Sequence, residues 1–274
     1  MLTSRSIIRL LIVVAALVPQ ARAYAQRDDS DWLDECRSGN GDRYGRREVF
    51  CDVQVSGARS PRGPISIEGL RNGGVAVYGW DRDSMVIHTR IRVTARSQSE
   101  AKAIASQVRT TIRGGDVIID GPRNDDDAQW SASVYAMIPR KSDLRAETRN
   151  GPVTIEQVQG DIDVQTTNGP MSLRDLAGSV RARTSNGPLS ISLQGNHWEG
   201  SGLEARTTNG PLSISIPDGY NARLEAGTTN GPVSLGFPIT VVGRITRDIS
   251  TTLGSGGATI RATTTNGPLT IRRK

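Results

Sequence analysis

Arg206–Ile216 reads RTTNGPLSISI, and its central tripeptide Asn-Gly-Pro recurs six times, at Asn150, Asn168, Asn186, Asn209, Asn230 and Asn266. A threonine stands two places before each asparagine: Thr148, Thr166, Thr184, Thr207, Thr228 and Thr264. Successive asparagines lie 18, 18, 23, 21 and 36 residues apart. A fixed unit of this size marks a repeat architecture. The shortest unit, NGPVTIEQVQGDIDVQTT, holds two alternating segments, each ended by a glycine-bearing turn. Alternation over four to six residues reads as half-buried β-strand, and the density of glycine and proline excludes helix.

Alignment of the repeats on their asparagines exposes the columns. Six places before are Leu144, Ile162, Val180, Leu203, Leu224 and Ile260, and four places before are Ala146, Val164, Ala182, Ala205, Ala226 and Ala262. With the threonines they lie on one strand face, because side-chain direction has period two. After the proline come Val153, Met171, Leu189, Leu212, Val233 and Leu269, then Ile155, Leu173, Ile191, Ile214, Leu235 and Ile271. These form the inward face of a second strand.

Two all-β architectures fit: an antiparallel β-meander with Asn-Gly-Pro hairpins, or a single-stack β-solenoid with coils of about 18 residues in which equivalent positions stack. An outward column, Arg145, Asp163, Arg181, Glu204, Glu225 and Arg261, favours the solenoid. Four of its five successive pairs are opposite in sign, as neighbours about 4.8 Å apart on a ladder should be. Proline cannot donate to a ladder and belongs at a strand start. T-x-N-G-P is therefore a coil corner whose asparagine amides and threonine hydroxyls form ladders.

The front of the chain is different. GPISIEG (Gly63–Gly69) and NGGVAVYGW (Asn72–Trp80) look like degenerate early coils, and Met85–Ala95 is a long strand. SQSEAKAIASQV (Ser97–Val108) changes period. Ser97 and Glu100 match a capping box, and Ala101, Ile104, Ala105 and Val108 share a helical face. This is the one amphipathic helix expected. Strands follow at Asp116–Gly121 and Trp130–Pro139.

At the N-terminus, Arg5 and Arg9 precede the short apolar run Leu10–Val18 and the small-x-small sites at Ala21–Ala23 and Ala23–Ala25, the order of a secretory signal peptide. The organisation expected is thus a signal peptide over 1–25, a disulfide-stapled lead-in over 26–59, a strand–helix–strand section over 60–140 and the repeat solenoid over 141–274. No other stretch could span a bilayer. The formal charge of +6 becomes 6 − 3 = +3 once Arg5, Arg9 and Arg22 depart. The arginines are interspersed with acids, which argues against nucleic-acid binding. Cys36 and Cys51, the only cysteines, read as a disulfide in an exported chain.

The repeated T-x-N-G-P-[VLM]-[ST]-[IL] units and RNGGVAVYGWDRD (Arg71–Asp83) resemble a bacterial family, the putative-adhesin β-strand-repeat proteins, an exported domain of unknown function. The resemblance spans Pro64 to Ile271. It implies a β-solenoid and an envelope location, and it supplies no catalytic residues.

The residues themselves offer little chemistry. His88 lies in an alternating strand, and its reading is a packed or surface histidine. His197 and Trp198 sit in the loop QGNHWEGSG (Gln194–Gly202), where such a pair binds a sugar ring or anchors the loop. Asp125, Asp126 and Asp127 are too few oxygens for calcium without further ligands. Asp163, Arg181 and Glu204 imitate the acid–arginine set of polysaccharide-cleaving β-helices, but ladder pairing explains them. No metal, cofactor or catalytic set is expected. The expected function is a non-enzymatic envelope module, adhesin-like or structural, whose solenoid surface meets an envelope polymer or protein. Its place is the periplasm, the outer surface or the medium. A polysaccharide-active enzyme and an envelope stress or assembly factor are the alternatives.

Overall fold

The computed structural model describes residues 21–38, 47–236 and 248–274. The signal-peptide segment up to residue 20 and part of the long last coil lie outside these residues. The chain begins with α1 (Ala21–Ser38), β1 (Glu48–Arg59), β2 (Ile65–Asn72), β3 (Val75–Trp80), β4 (Ser84–Ala95), α2 (Gln98–Ala105), β5 (Arg109–Arg113), β6 (Asp116–Asp120) and β7 (Gln129–Pro139). The repeats supply β8 (Leu144–Asn150), β9 (Val153–Glu156), β10 (Gln159–Asn168), β11 (Met171–Arg174), β12 (Ala177–Asn186), β13 (Leu189–Ser192), β14 (Gly202–Asn209) and β15 (Leu212–Ile216). They continue with β16 (Ala222–Asn230), β17 (Val233–Leu235), β18 (Asp248–Leu253), β19 (Thr259–Asn266) and β20 (Leu269–Arg273).

These strands form two large sheets. The first runs β1-β4-β7-β3-β9-β11-β13-β15-β20-β17, and the second β18-β16-β19-β14-β12-β10-β8-β2-β6-β5. Each repeat gives one strand to the second sheet, turns at Asn-Gly-Pro, and gives the next strand to the first sheet. Equivalent strands pair in parallel and in register, Asp163 beside Arg181 and Met171 beside Leu189, for example. The meander alternative fails here, because antiparallel pairing among the described residues is confined to β1–β4–β7, β5–β6 and β16–β18. The inward columns meet between the sheets in one continuous cluster from Ile65 to Ile271. A smaller cluster, with Ile91, Val93, Ala101, Ala105 and Val108, lies under α2.

The corner has a backbone reason. In a parallel ladder each glycine carbonyl awaits the N–H of the residue that is proline in the next repeat, and proline has none. The buried threonine supplies the missing donor. Thr166 Oγ1 donates to Gly151 O at 3.2 Å, Thr184 to Gly169 O at 3.3 Å, and Thr207 to Gly187 O at 3.0 Å. Thr148, Thr264 and Thr228 do the same toward Gly73, Gly210 and Gly267. The threonines thus stack in a ladder in which each hydroxyl donates to the adjacent coil, its acceptor being the glycine carbonyl of that coil's corner.

The asparagines form a second ladder. Asn168 Nδ2 donates to Asn150 Oδ1 at 2.7 Å, Asn186 to Asn168 at 2.8 Å and Asn209 to Asn186 at 2.9 Å. Asn72, from the NGG corner of the front half, joins it by accepting from Asn150 at 2.9 Å.

The order of the ladder departs from the order of the chain. Asn266 donates to Asn209, and Asn230 donates to Asn266. The last repeat, β19–β20, is threaded between β14–β15 and β16–β17 in both sheets. In spatial order the outward column reads Arg145, Asp163, Arg181, Glu204, Arg261, Glu225, so every neighbouring pair is opposite in sign. Threading removes the one like-charge pair that sequential stacking would create, Glu204 against Glu225.

Two helices are present where one was expected. α2 starts as read, with Ser97 Oγ accepting from Glu100 N at 3.2 Å, while the Glu100 carboxylate turns to Arg96 N at 3.1 Å. α1 was not foreseen, because it has no apolar stripe of its own. The disulfide Cys36–Cys51 joins it to β1, and Asp29 joins it to β4 through His88 and Arg90. No helix among the described residues is long and apolar enough to cross a membrane.

Candidate functional site

The short strands of the first sheet turn their alternate side chains outward and build a shallow trough of about 870 Å³. Its floor follows from register. Thr154, Ser172, Ser190, Ser213 and Thr270 occupy equivalent outward positions on β9, β11, β13, β15 and β20. Two residues further along the strands is the row Glu156, Arg174, Ser192, Ser215 and Arg272. Arg174 pairs with Glu156 at 3.3 Å, Ser213 Oγ donates to Ser190 Oγ at 3.2 Å, and Arg272 Nε donates to Ser215 Oγ at 2.9 Å. Pro152, Pro170 and Pro188 form one rim, and Gln157, Asp175 and Gln194 the other. Gln157 and Asp175 have φ of 58° and 51°, the only non-glycine residues in the left-handed region among those described. Both are stacked turn residues whose N–H groups donate to Arg174 O and Ser192 O.

The first sheet continues toward the N-terminal end with an aromatic and cationic group. The Tyr78 and Tyr135 rings stack with centroids 4.8 Å apart. The Arg90 guanidinium lies 5.5 Å from the Tyr135 ring and 5.8 Å from the Trp32 ring of α1. His88 is buried; its Nδ1 bonds to Asp29 Oδ2, while Arg90 Nε donates to Asp29 Oδ1 at 2.9 Å. Sequence reasoning missed this cluster. His88 and Arg90 stand two apart on one strand face, which was visible, but Asp29 and Trp32, which meet them, sit on the unforeseen α1.

The other sequence-derived candidates are dispersed. Trp198 is buried at 5% exposure and its Nε1 donates to Gly178 O at 3.0 Å, which ties the inserted loop to the neighbouring coil. His197 is exposed, and its Nδ1 faces Asn196 Oδ1 at 2.7 Å. Asp125 Oδ1 accepts from Ala128 N at 2.7 Å and Asp127 N at 2.9 Å, and these bonds lower its pKa. Asp127 pairs with Arg96. Asp163, Arg181 and Glu204 stand on the outer face of the second sheet, away from the trough, where Asp163 also meets Arg183 at 3.5 Å. Among the described residues no three His, Cys, Asp or Glu side chains converge as metal ligands.

Known proteins give the following matches. A putative cell adhesion protein from Clostridium sporogenes is 9% identical, with 83% of this chain and 100% of that chain covered and a TM-score of 0.42. A putative adhesin from Bacteroides fragilis is 10% identical, with 81% and 97% covered and a TM-score of 0.31. One from Parabacteroides distasonis is 10% identical, with 77% and 97% covered and a TM-score of 0.34. No curated protein matches the chain. The family model Toastrack DUF4097 matches residues 63–272, from just before β2 to the last strand, and the chain belongs to that family.

Proposed function

We propose that the chain is a non-enzymatic, exported envelope module, adhesin-like or structural, that uses the outer face of the first sheet to hold an extended polymer or a protein partner. In this reading the two sheets are one β-solenoid stack. The solenoid occupies residues 141–274, the section over 60–140 covers its first coil, and the lead-in over 26–59 follows a signal peptide over 1–25. The observation that carries the reading is the trough. Its polar side chains repeat at ladder spacing, about 4.8 Å, which suits a ligand that itself repeats. A disulfide between the two cysteines supports an oxidising compartment, hence export.

Among the described residues the Ser190, Ser213 and Ser215 hydroxyls of the trough meet one another or arginine, and Glu156 and Asp218 form ion pairs with the lining arginines Arg174 and Arg273, so none of these groups is set as a nucleophile beside a base. The experiment is capture from envelope extract and from a glycan panel by the mature protein, with Ser172→Arg/Ser190→Arg as comparison. These side chains point outward, so the variant retains the fold and loses the partner. Capture that the variant does not affect would refute the trough. Glycan turnover abolished by Asp163→Asn would instead establish the enzymatic alternative.

A further inference from the structure

The threaded repeat occupies a slot that recognises a strand–corner–strand segment. β19 is paired on both edges, to β14 and β16, and β20 on both edges, to β15 and β17. Without it four strand edges and the space filled by Ile260, Ala262, Leu269 and Ile271 would open together. The slot reads its occupant in three ways. Glu204 and Glu225 flank Arg261, whose Nε donates to Glu225 Oε2 at 2.9 Å. Hydrogen bonds from Arg223 and Arg261 hold the Glu225 carboxyl below the usual carboxylate range. Asn266 donates to Asn209 and accepts from Asn230, and the threonine–glycine bonds close both sides of the corner.

The segment is joined to β18 by a glycine-rich turn in which Ser255 N donates to Asn221 Oδ1 at 2.7 Å, and we take this turn as the hinge of the segment. Gly254, Gly256 and Gly257 precede β19 within five residues, all with positive φ, of 54°, 81° and 137°. Asn230 and Asn266 are 36 residues apart, twice the spacing of the tightest repeats; β18 lies within that span and pairs with β16, so the last repeat joins the array through residues 254–258.

We propose that this slot also accepts the 259–273 segment of a second copy of the chain, giving a reciprocal exchanged dimer. Every contact that β19 and β20 make within one chain is available between two, since the segment joins the β18-capped slot only through residues 254–258. Such a dimer displays two first-sheet faces on one particle and raises the avidity for a polymeric partner.

Charge exchange tests this with full-length chains. One variant, Arg261→Glu, places a third carboxylate between those of Glu204 and Glu225. The other, Glu204→Arg/Glu225→Arg, leaves Arg261 between two further guanidinium groups. Each therefore opposes its own segment, while each slot complements the segment of the other. The two are unfolded and refolded together, and separately as controls. The expected result is a 1:1 heterodimer, in at least about tenfold excess over either homodimer. With Ser213→Cys in one chain and Thr270→Cys in the other, a short thiol cross-linker joins the two chains, because these positions are neighbours in register. If a variant does not fold alone, recovery of its β-sheet signal only in the mixture gives the same answer. Monomers in the mixture, a dimer without the cross-link, or two chains that stay unfolded together would overturn the proposal.

Discussion

At the residue scale, the T-x-N-G-P corner is explained by one missing donor. Proline leaves a glycine carbonyl without its ladder partner, and the threonine two places before asparagine fills the vacancy. Thr207→Val keeps the shape of a fully buried side chain but leaves Gly187 O unpaired. The expected loss is about 1–3 kcal/mol in denaturant unfolding, whereas Thr208→Val on the exposed neighbour has little effect. Glycine is required by close approach. A Cβ on Gly187 would overlap the carbonyl oxygen of Gly169, so Gly187→Ala should destabilise by about 2–3 kcal/mol in the same measurement. Tyr220 adds a pH dependence on the alkaline side. Burial pushes the Tyr220 phenol up to about 12. The phenol of the unfolded chain ionises near its ordinary value, about pH 10, so the unfolded state loses its proton first. Stability from this group is complete below about pH 10 and falls as pH rises toward 12. Tyr220→Phe should flatten that slope in pH-dependent unfolding.

At the element scale, inward columns were legible because burial has the period of the strand. Leu144, Ile162 and Val180 could be aligned without any structure, and each is buried as its position requires. α2 was legible from its cap and its alanine face. α1 was not, because a helix held by Asp29, Trp32 and Cys36 to partners on β1 and β4 needs no continuous apolar stripe. The trough was hidden for a related reason. It is made of outward serines and threonines, which in sequence look like any solvated strand face. The inserted loop around His197 and Trp198 was recognised, and within it the indole is buried and donates to Gly178 O. Trp198→Ala should cost about 3–5 kcal/mol in thermal or denaturant unfolding, the cost of emptying a large core site. A polymer partner should bind His197→Ala undiminished, since that side chain faces the loop's own Asn196.

At the scale of the whole molecule, the charge column held more information than its sequence order revealed. Glu204 and Glu225 are the one like-charged successive pair, and they mark the place where the last repeat enters. Exposed pairs of this kind are individually weak, so they mark the order of repeats more than they stabilise it. The stronger determinants are the doubly paired strands of the last repeat and the antiparallel β18, which occupies the outer edge of β16. An edge already covered by β18 leaves the inner side of β16 to the last repeat. In the second sheet β18 thus covers β16, while β17 is the outermost described strand of the first sheet; the threaded order is what the proposed exchange between two chains relies on.

The central claim is that the Asn-Gly-Pro repeats stack in parallel register with the last one threaded inward. Through-hydrogen-bond NMR couplings test it directly. The structure predicts a coupling from the Gly210 amide to the Asn266 carbonyl, across 2.9 Å, and from the Gly267 amide to the Asn230 carbonyl, across 3.1 Å. A coupling from Gly210 to Asn230 would show sequential stacking instead, and antiparallel contacts between successive repeats would contradict the architecture itself.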